Sequence, residues 1–453
     1  MEAGIGIIGG GESGVGAALL AARAGLQVFL SEGGLLLPVR KQALLGAGIS
    51  FEEGGHTQER LLSLPLWVKS PGIPFTHPLI QAGLEKEIEI IDELELAYRF
   101  ATQERSPHII AITGTNGKTT TALLTYHLLV QAGVEAGLAG NVGQSWAAQL
   151  AAGASPAVWV LEVSSFQCEG LRQFKADTSV LTSLSPDHLD RYAGEGSAYA
   201  AAKGWLLANT LPSGRVLVTA TDAWACETAE AFSSAPLHYV GREGEIWRAA
   251  DTAYLRVAGG QREISMAGFP LAGPHNTSNA LHALGAALAA GAPEELLAEG
   301  LRSFQNAPHR LQLAGELAGV RFLNDSKATN VEAALQAVKS CPAGIVWIAG
   351  GIDKGNDYSG LEPYLPQIKA LVILGADAGK LQAAFQGKIP KLLHTRQVAE
   401  AVELAFQEAA AGDTVLLAPA CASFDLFRNY EDRGEQFMHA VHAFIERRKH
   451  AVG

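Results

Sequence analysis

Ile109-Ile110-Ala111-Ile112-Thr113-Gly114-Thr115-Asn116-Gly117-Lys118-Thr119-Thr120 is the stretch whose reading decides the fold. The apolar run from Ile109 to Ile112 suits a buried strand, a glycine-bracketed turn follows at once, and an amphipathic run opens at Lys118. Strand, tight loop and helix in that order bring backbone N–H groups to one point. There the first helical turn has donors without intrahelical acceptors and an exposed positive dipole end, so the point suits phosphate. Lys118 adds a fixed charge for the outer phosphates, and Thr119 offers a hydroxyl for Mg²⁺. Ala122, Tyr126, Leu129 and Val130 share one face of the helix, which Gly133 can close. The pattern is only G-x-x-G-K-T, because Ile112 or Thr113 stands where a full phosphate loop seeks its first glycine. The plain alternative is a strand-to-helix turn with a surface lysine; the strand and helix on either side favour nucleotide binding.

Outward from this loop, 453 residues suggest three domains of ordinary globular α/β composition. Lys and Arg total 34 against 46 Asp and Glu, a formal charge of −12, which lacks the basic footprint that grips nucleic acid or an anionic membrane. An anionic ligand must therefore be held by local donors. Cys168, Cys226, Cys341 and Cys421 form no C-x-x-C pair and indicate neither a zinc site nor a disulfide framework. The opening M-E-A-G-I-G-I-I-G-G has no basic n-region, and no apolar run reaches the length of a membrane span, so a cytoplasmic soluble protein is expected.

Upstream, a strand at Gly4 to Ile8, the glycines Gly9, Gly11 and Gly14 in G-x-G-x-x-G, a helix from Val15 to Ala24 and a strand at Val28 to Leu30 make a βαβ opening. A dinucleotide site would want an acidic residue closing that second strand; Ser31 closes it, with Glu32 next. NAD and another nucleotide diphosphate both remain open on this stretch. Leu66 to Val68 is a strand running into Lys69-Ser70-Pro71-Gly72-Ile73-Pro74, a rigid turn at a strand end, where α/β ligand sites lie. A polar linker is expected between Phe100 and Pro107.

Downstream, Ala157 to Leu161 is a buried strand ending in Glu162, whose carboxylate needs a positive partner; beside a phosphate loop that partner is naturally Mg²⁺. A strand over Ser179 to Leu184 leads into Asp187, His188, Asp190 and Arg191, where the histidine could be a metal ligand. Lys203 lies on a helix of small residues and would by itself pass for a snorkelling lysine. Hairpins are expected from Leu237 to Met266, a capped helix from Asn279 to Ala290, and a second boundary near Asn306 to Pro308. The last portion repeats strand and helix. Polar clusters follow its strands at Asn324 to Asn330, Gly350 to Gly355 and Pro419 to Phe424, where open parallel sheets bind ligands.

Taken together, G-T-N-G-K-T, L-E-V-S-S-F-Q, D-H-L-D-R-Y and A-A-A-K in this order resemble the Mur ligases, ATP-dependent amide ligases of bacterial peptidoglycan precursor synthesis, over essentially the whole chain. N-D-S-K-A-T-N, P-A-C-A-S-F-D and N-Y-E-D-R-G resemble the branch of that family that adds D-glutamate. The resemblance implies a Rossmann-like N-terminal domain for a UDP-sugar over 1–105, a central P-loop ATPase-like domain over 106–307 and a C-terminal Rossmann-like, amino-acid-binding domain over 308–453. It implies that Gly114, Thr115, Asn116, Gly117, Lys118, Thr119 and Thr120 bind ATP, joined by Asn276, Arg310 and Asp325. Thr119 and Glu162 would hold one Mg²⁺, and His188 and Lys203 would serve a second. Lys203 would be carbamylated by CO₂ to N6-carboxylysine, a reaction of its neutral amine. The catalytic set is then Lys118, His188 and Lys203.

By the same resemblance, Glu12, Ser13, Ser70, Asn141 and Gln167 would contact the UDP-sugar substrate, UDP-N-acetylmuramoyl-L-alanine. Lys327, Thr329, Lys354, Ser423 and Phe424 would hold D-glutamate, with Tyr430 where an aromatic is expected. ATP would phosphorylate the L-alanine carboxylate and the D-glutamate amine would displace phosphate, in a monomer. One departure stands out: relatives often end the second strand with an aspartate for the uridine, where this chain has Ser31. The competing readings are a folylpolyglutamate-type ligase, against which the first Gly-loop domain argues, and a nucleotide-binding regulator, which would have no use for His188 and Lys203. An NAD oxidoreductase would leave the phosphate loop unused.

Overall fold

The computed structural model describes residues 4–104, 106–188, 191–257, 260–271, 273–342, 344–353 and 355–452. They fold into three sheets. The first holds β1 (Gly4–Ile8), β2 (Gln27–Glu32), β3 (Ser50–Glu53), β4 (Leu66–Lys69) and β5 (Glu89–Asp92) in the order β3-β2-β1-β4-β5, every neighbour parallel. The order reverses between β1 and β4, so the crevice beyond their carboxyl ends is where such a sheet takes its ligand. The G-x-G-x-x-G loop and the Ser70-Pro71-Gly72 turn flank that crevice.

The second sheet runs β14-β13-β12-β11-β10-β9-β6-β8-β7. In chain order these are β6 (His108–Thr113), β7 (Ala136–Gly140), β8 (Val158–Glu162), β9 (Ala176–Leu181), β10 (Thr210–Thr219), β11 (Leu237–Val240), β12 (Ile246–Ala249), β13 (Thr252–Val257) and β14 (Gly260–Ser265). Its centre is parallel and buried from Ile109 to Thr113 and from Val158 to Glu162, as an uninterrupted apolar strand such as Ile109 to Ile112 requires. The hairpins expected from Leu237 onward begin only at β12: β12 to β14 are antiparallel, while β11 pairs in parallel with both β10 and β12. The third sheet comprises β15 (Gln312–Leu317), β16 (Val320–Asn324), β17 (Ile345–Ala349), β18 (Ile368–Leu374), β19 (Leu392–Thr395) and β20 (Thr414–Leu417), ordered β15-β16-β20-β17-β18-β19 and parallel except for β15.

Two compact units contain these sheets. Met1–Pro270 with Asn276–Phe304 holds the first two, and Leu271–His275 with Gln305–Gly453 holds the third. Within the first unit Trp146, Trp159, Phe174 and Leu94 share one core, so the helix that ends the first sheet's portion packs beneath the second.

Several sequence expectations need correction. The segment from Phe100 is helix as far as Glu104 rather than linker, because Glu93–Glu104 is anchored by buried Leu94, Leu96 and Ala97. The strand expected to reach Leu184 stops at Leu181, where Thr182 and Ser183 turn away to bond the phosphate loop. The first helix begins at Glu12, so Glu12 and Ser13 stand in its first turn, and the helix expected from Asn279 begins at Pro274.

Candidate active site

The phosphate loop is set by what surrounds it. Gly114 has φ +144°, and a Cβ there would lie 2.1 Å from Thr182 Oγ1, so only glycine fits. Thr115 N–H donates to Ser183 O at 2.8 Å, Asn116 N–H to Ser183 Oγ at 3.0 Å, and Thr182 Oγ1 to Asn116 O at 2.5 Å. The turn after β9 is thus the mould of the loop after β6. Helix Lys118–Gln131 follows directly, with Gly117 at φ +87° as its N-cap, so the positive end of the helix dipole lies at the loop.

Two lysines converge on this loop. Lys118 Nζ donates to Gly114 O and Thr115 O, both at 2.8 Å. Lys203 Nζ donates to the same Gly114 O at 2.8 Å and lies 4.8 Å from the Tyr199 ring centroid. Lys203 is 1 % exposed, so the snorkelling expected of it in isolation does not occur. Burial first, and the charge of Lys118 second, push its amine down to about 7, which leaves a large neutral fraction near neutral pH.

Glu162 ends β8 opposite Ile112 of β6. It is 1 % exposed; Oε1 accepts from Asn141 Nδ2 at 2.8 Å, and among the described residues Oε2 has no hydrogen-bond partner. A buried carboxylate oxygen left unbonded costs roughly 1–3 kcal/mol or more, and a cation removes that cost. Among the described residues no group of three or more His, Cys, Asp or Glu could hold a metal. Mg²⁺ on a nucleotide needs none, since it keeps water and phosphate oxygens and takes one or two protein oxygens. His188 is exposed, at φ +51°, with its ring 5.0 Å from that of Phe166; Asp190 lies outside the described residues.

At the first sheet's crevice, Ser31 is buried and its hydroxyl is already engaged, at 2.6 Å from both Glu52 Oε1 and His56 Nδ1. Glu32 holds the position at the mouth of the Gly loop, accepting from Gly10 N–H and Gly34 N–H. Glu12 Oε1 accepts from Ser145 N–H at 3.1 Å, and Ser70 Oγ donates to Gly9 O at 3.3 Å. Gln167 Oε1 accepts from Ser164 N–H and Oγ in a capping box, so part of this expected substrate contact serves the loop itself. Asn276, in the same unit, is 5 % exposed, and Asn279 Nδ2 donates to its Oδ1 at 3.4 Å. A separate cavity of about 440 Å³ between Arg215, Arg262, Glu294 and Glu295 includes none of the expected site residues.

In the second unit the loops after β16, β20 and β17 carry the remaining positions. Lys327 Nζ lies 3.7 Å from the Tyr430 ring centroid, Ser423 is 2 % exposed and Phe424 is exposed; Lys354 lies outside the described residues. Thr329 N–H donates to Lys327 O at 2.8 Å. Asp325 is pushed up to about 7 by desolvation, with Arg310 pulling the other way. Sequence reading assigned no role to Arg433, yet it ties these loops together. Only 1 % exposed, it donates to Ser326 O and Oγ, Gly350 O and Cys421 O, and among the described residues it makes no ion pair. Its one textual signal was N-Y-E-D-R-G. Arg433→Met should lower stability by about 2–4 kcal/mol, because buried acceptors lose a donor while the guanidinium's desolvation cost is relieved. An unchanged urea midpoint would refute this.

Comparisons with known proteins align with this layout. Residues 112–287 match the family profile described as the Mur ligase middle domain, and 309–421 that of the Mur ligase, glutamate ligase domain. The chain is 41 % identical over 443 residues to the UDP-N-acetylmuramoylalanine--D-glutamate ligase of Cytophaga hutchinsonii, covering 96 % of this chain and 98 % of that one. To the ligase of the same name from Porphyromonas gingivalis it is 40 % identical over 448 residues, covering 96 % and 97 %. Among solved structures, a UDP-N-acetylmuramate-alanine ligase of Thermotoga maritima shares the fold with a TM-score of 0.60 at 18 % identity, covering 97 % and 99 %. A pseudomurein peptide ligase of Methanothermus fervidus does so with 0.61 at 17 %, covering 97 % and 99 %.

Proposed function

The chain belongs to the Mur ligase family, and from that premise we propose that it is an ATP-dependent ligase joining D-glutamate to UDP-N-acetylmuramoyl-L-alanine. The observation that carries the chemistry is the convergence of Lys118 and Lys203 on Gly114 O in a loop built for phosphate. A carboxylate is a poor electrophile until one oxygen becomes a leaving group, so the L-alanine carboxylate oxygen bonds the γ-phosphorus of ATP as the bond to the β-phosphate oxygen breaks and ADP leaves. The D-glutamate amine then attacks the acyl carbon, the C–N bond forms, and phosphate leaves with the acyl oxygen. Lys118 and the amino end of its helix stabilise charge on the transferring group.

Mg²⁺ held by Thr119 and Glu162, and a second ion near His188 and Lys203, would offset repulsion between carboxylate and γ-phosphate. The unbonded Glu162 oxygen supports the first site. The depressed amine of Lys203 supports its conversion to a carbamate, which turns a cation into a metal-binding anion. Gly114 to Thr120 with Asn276, Arg310 and Asp325 make up the nucleotide set. Glu12, Ser13, Ser70, Asn141 and Gln167 make up the UDP-sugar set, and Lys327, Thr329, Lys354, Ser423 and Phe424 the D-glutamate set. One sheet per segment supports boundaries at 1–105, 106–307 and 308–453. A monomer acting in the cytoplasm completes the reading; no helix among the described residues is long and apolar enough to cross a membrane.

The test is phosphate release from Mg-ATP and UDP-N-acetylmuramoyl-L-alanine with D-glutamate, L-glutamate, L-lysine or meso-diaminopimelate. Release dependent on D-glutamate is expected. Release with another amino acid instead would move the enzyme to a sibling specificity, and none with any would overturn the ligase reading.

A further inference from the structure

The Ser70-Pro71-Gly72 turn is not held by its own sheet alone. Its start is fixed there, Ser70 N–H donating to Ile8 O at 2.8 Å. Its middle is held from the second sheet: Arg191 Nη1 donates to Gly72 O at 3.2 Å and Nη2 to Pro71 O at 3.4 Å. The same Nη2 bonds Glu169 Oε2 at 2.9 Å, and the guanidinium lies 4.5 Å from the Phe166 ring centroid. The Arg191 side chain is 11 % exposed and that of Glu169 19 %, so this pair is far less screened than a surface salt bridge.

The junction beneath is charged and tightly packed. Lys69 and Asp92 end β4 and β5 as register partners, both fully buried, and among the described residues Lys69 Nζ and Asp92 Oδ2 have no hydrogen-bond partner. A Cβ on Gly170, beside Glu169, would lie 2.4 Å from Asp92 Cβ, so the loop after β8 rests directly on the end of β5. On its other side Arg191 adjoins the reaction centre. Phe166 meets His188, and Tyr192 meets Tyr199 at 5.6 Å between ring centroids, whose hydroxyl is 3.0 Å from Thr115 Oγ1 in the phosphate loop.

One guanidinium therefore touches the substrate turn of the first sheet, the carboxylate after β8 and the aromatic ring that also faces His188. We propose that Arg191 is a positioning residue: it sets the Ser70-Pro71-Gly72 turn against the phosphate loop, so that the acceptor's carboxylate is presented to the phosphoryl donor. This deepens the ligase reading above and rests on it. The planar fork is essential, since it reaches two carbonyls and a carboxylate at once, which a lysine ammonium on a flexible stem does not reproduce.

The experiment compares Arg191→Lys, Glu169→Gln and the double variant with the parent chain. It measures kcat and KM for UDP-N-acetylmuramoyl-L-alanine, Kd for Mg-ATP, thermal midpoint, and acceptor affinity by calorimetry without turnover. Arg191→Lys should lower kcat/KM for the acceptor about 10- to 100-fold, the scale of a misplacement near 1 Å. Its Kd for Mg-ATP should stay within about twofold, because the nucleotide's own contacts are intact. Glu169→Gln should shift the same constants less, and the double variant should be no worse than Arg191→Lys, as two members of one contact require. Unchanged acceptor kinetics, equal losses for acceptor and nucleotide, or additive losses would each overturn the proposal. If Arg191→Lys does not fold, the same split in Glu169→Gln supports the proposal and its absence overturns it. Acceptor affinity that depends on Arg191 in a parent chain showing no D-glutamate-dependent release would refute the amino-acid assignment and leave the latch standing.

Discussion

Lys118→Ala is expected to abolish Mg-ATP-dependent phosphate release, with kcat down by at least about a hundredfold to a thousandfold, the scale of removing one preorganised charge donor. The loop backbone should largely survive, since Ser183, Thr182 and the Gly114 conformation still hold it once the two lysine bonds to Gly114 O and Thr115 O are gone. What disappears is the charge proposed above to act on the outer phosphates. A second effect follows from the same change. Burial and then Lys118 hold the Lys203 amine near 7, so removing Lys118 raises the pKa of Lys203 and shrinks its neutral fraction. The carbamate proposed at Lys203, read as the added mass of CO₂ on its peptide under native conditions, should fall alongside activity. Single-turnover phosphate release decides the first point; a variant within a fewfold of the parent would remove Lys118 from the chemistry.

Glu162→Gln separates function from stability. The substitution keeps the shape, and the side-chain carbonyl can still accept from Asn141 Nδ2, while an amide nitrogen replaces the unbonded Oε2. Activity should fall about 10²-fold or more, with a higher Mg²⁺ concentration needed for half-maximal rate, the outcome expected of the proposed Mg²⁺ ligand. The thermal midpoint without nucleotide should hold or rise, since burying a charge with one unsatisfied oxygen is unfavourable. A lower midpoint with unchanged Mg²⁺ dependence would make Glu162 a structural residue.

Much of this site was legible in the sequence because it lies where periodicity changes. The apolar run ending at Ile112, the glycines after it and the acidic end of β8 each mark a strand terminus by local chemistry alone. β3 and β5 were not anticipated, being four residues each with one and two apolar side chains respectively, and neither was the helix Tyr430–Val452. Arg433 and Arg191 could not be read locally, since their meaning lies in carbonyls more than a hundred residues away or in separate loops. Ser31 looked like a gap in the uridine site; the structure commits its hydroxyl to Glu52 and His56 and puts Glu32 at the loop.

The crowding around Gly114 also bears on inhibitor resistance. A compound that competes with nucleotide by leaning on the backbone of this loop meets a surface that point mutation cannot readily reshape. Any side chain at Gly114 strikes Thr182, and shrinking Thr182 to make room removes one of the bonds that hold Asn116. Escape would have to come from the rim, so compounds anchored to the floor of the loop should retain potency longest under selection.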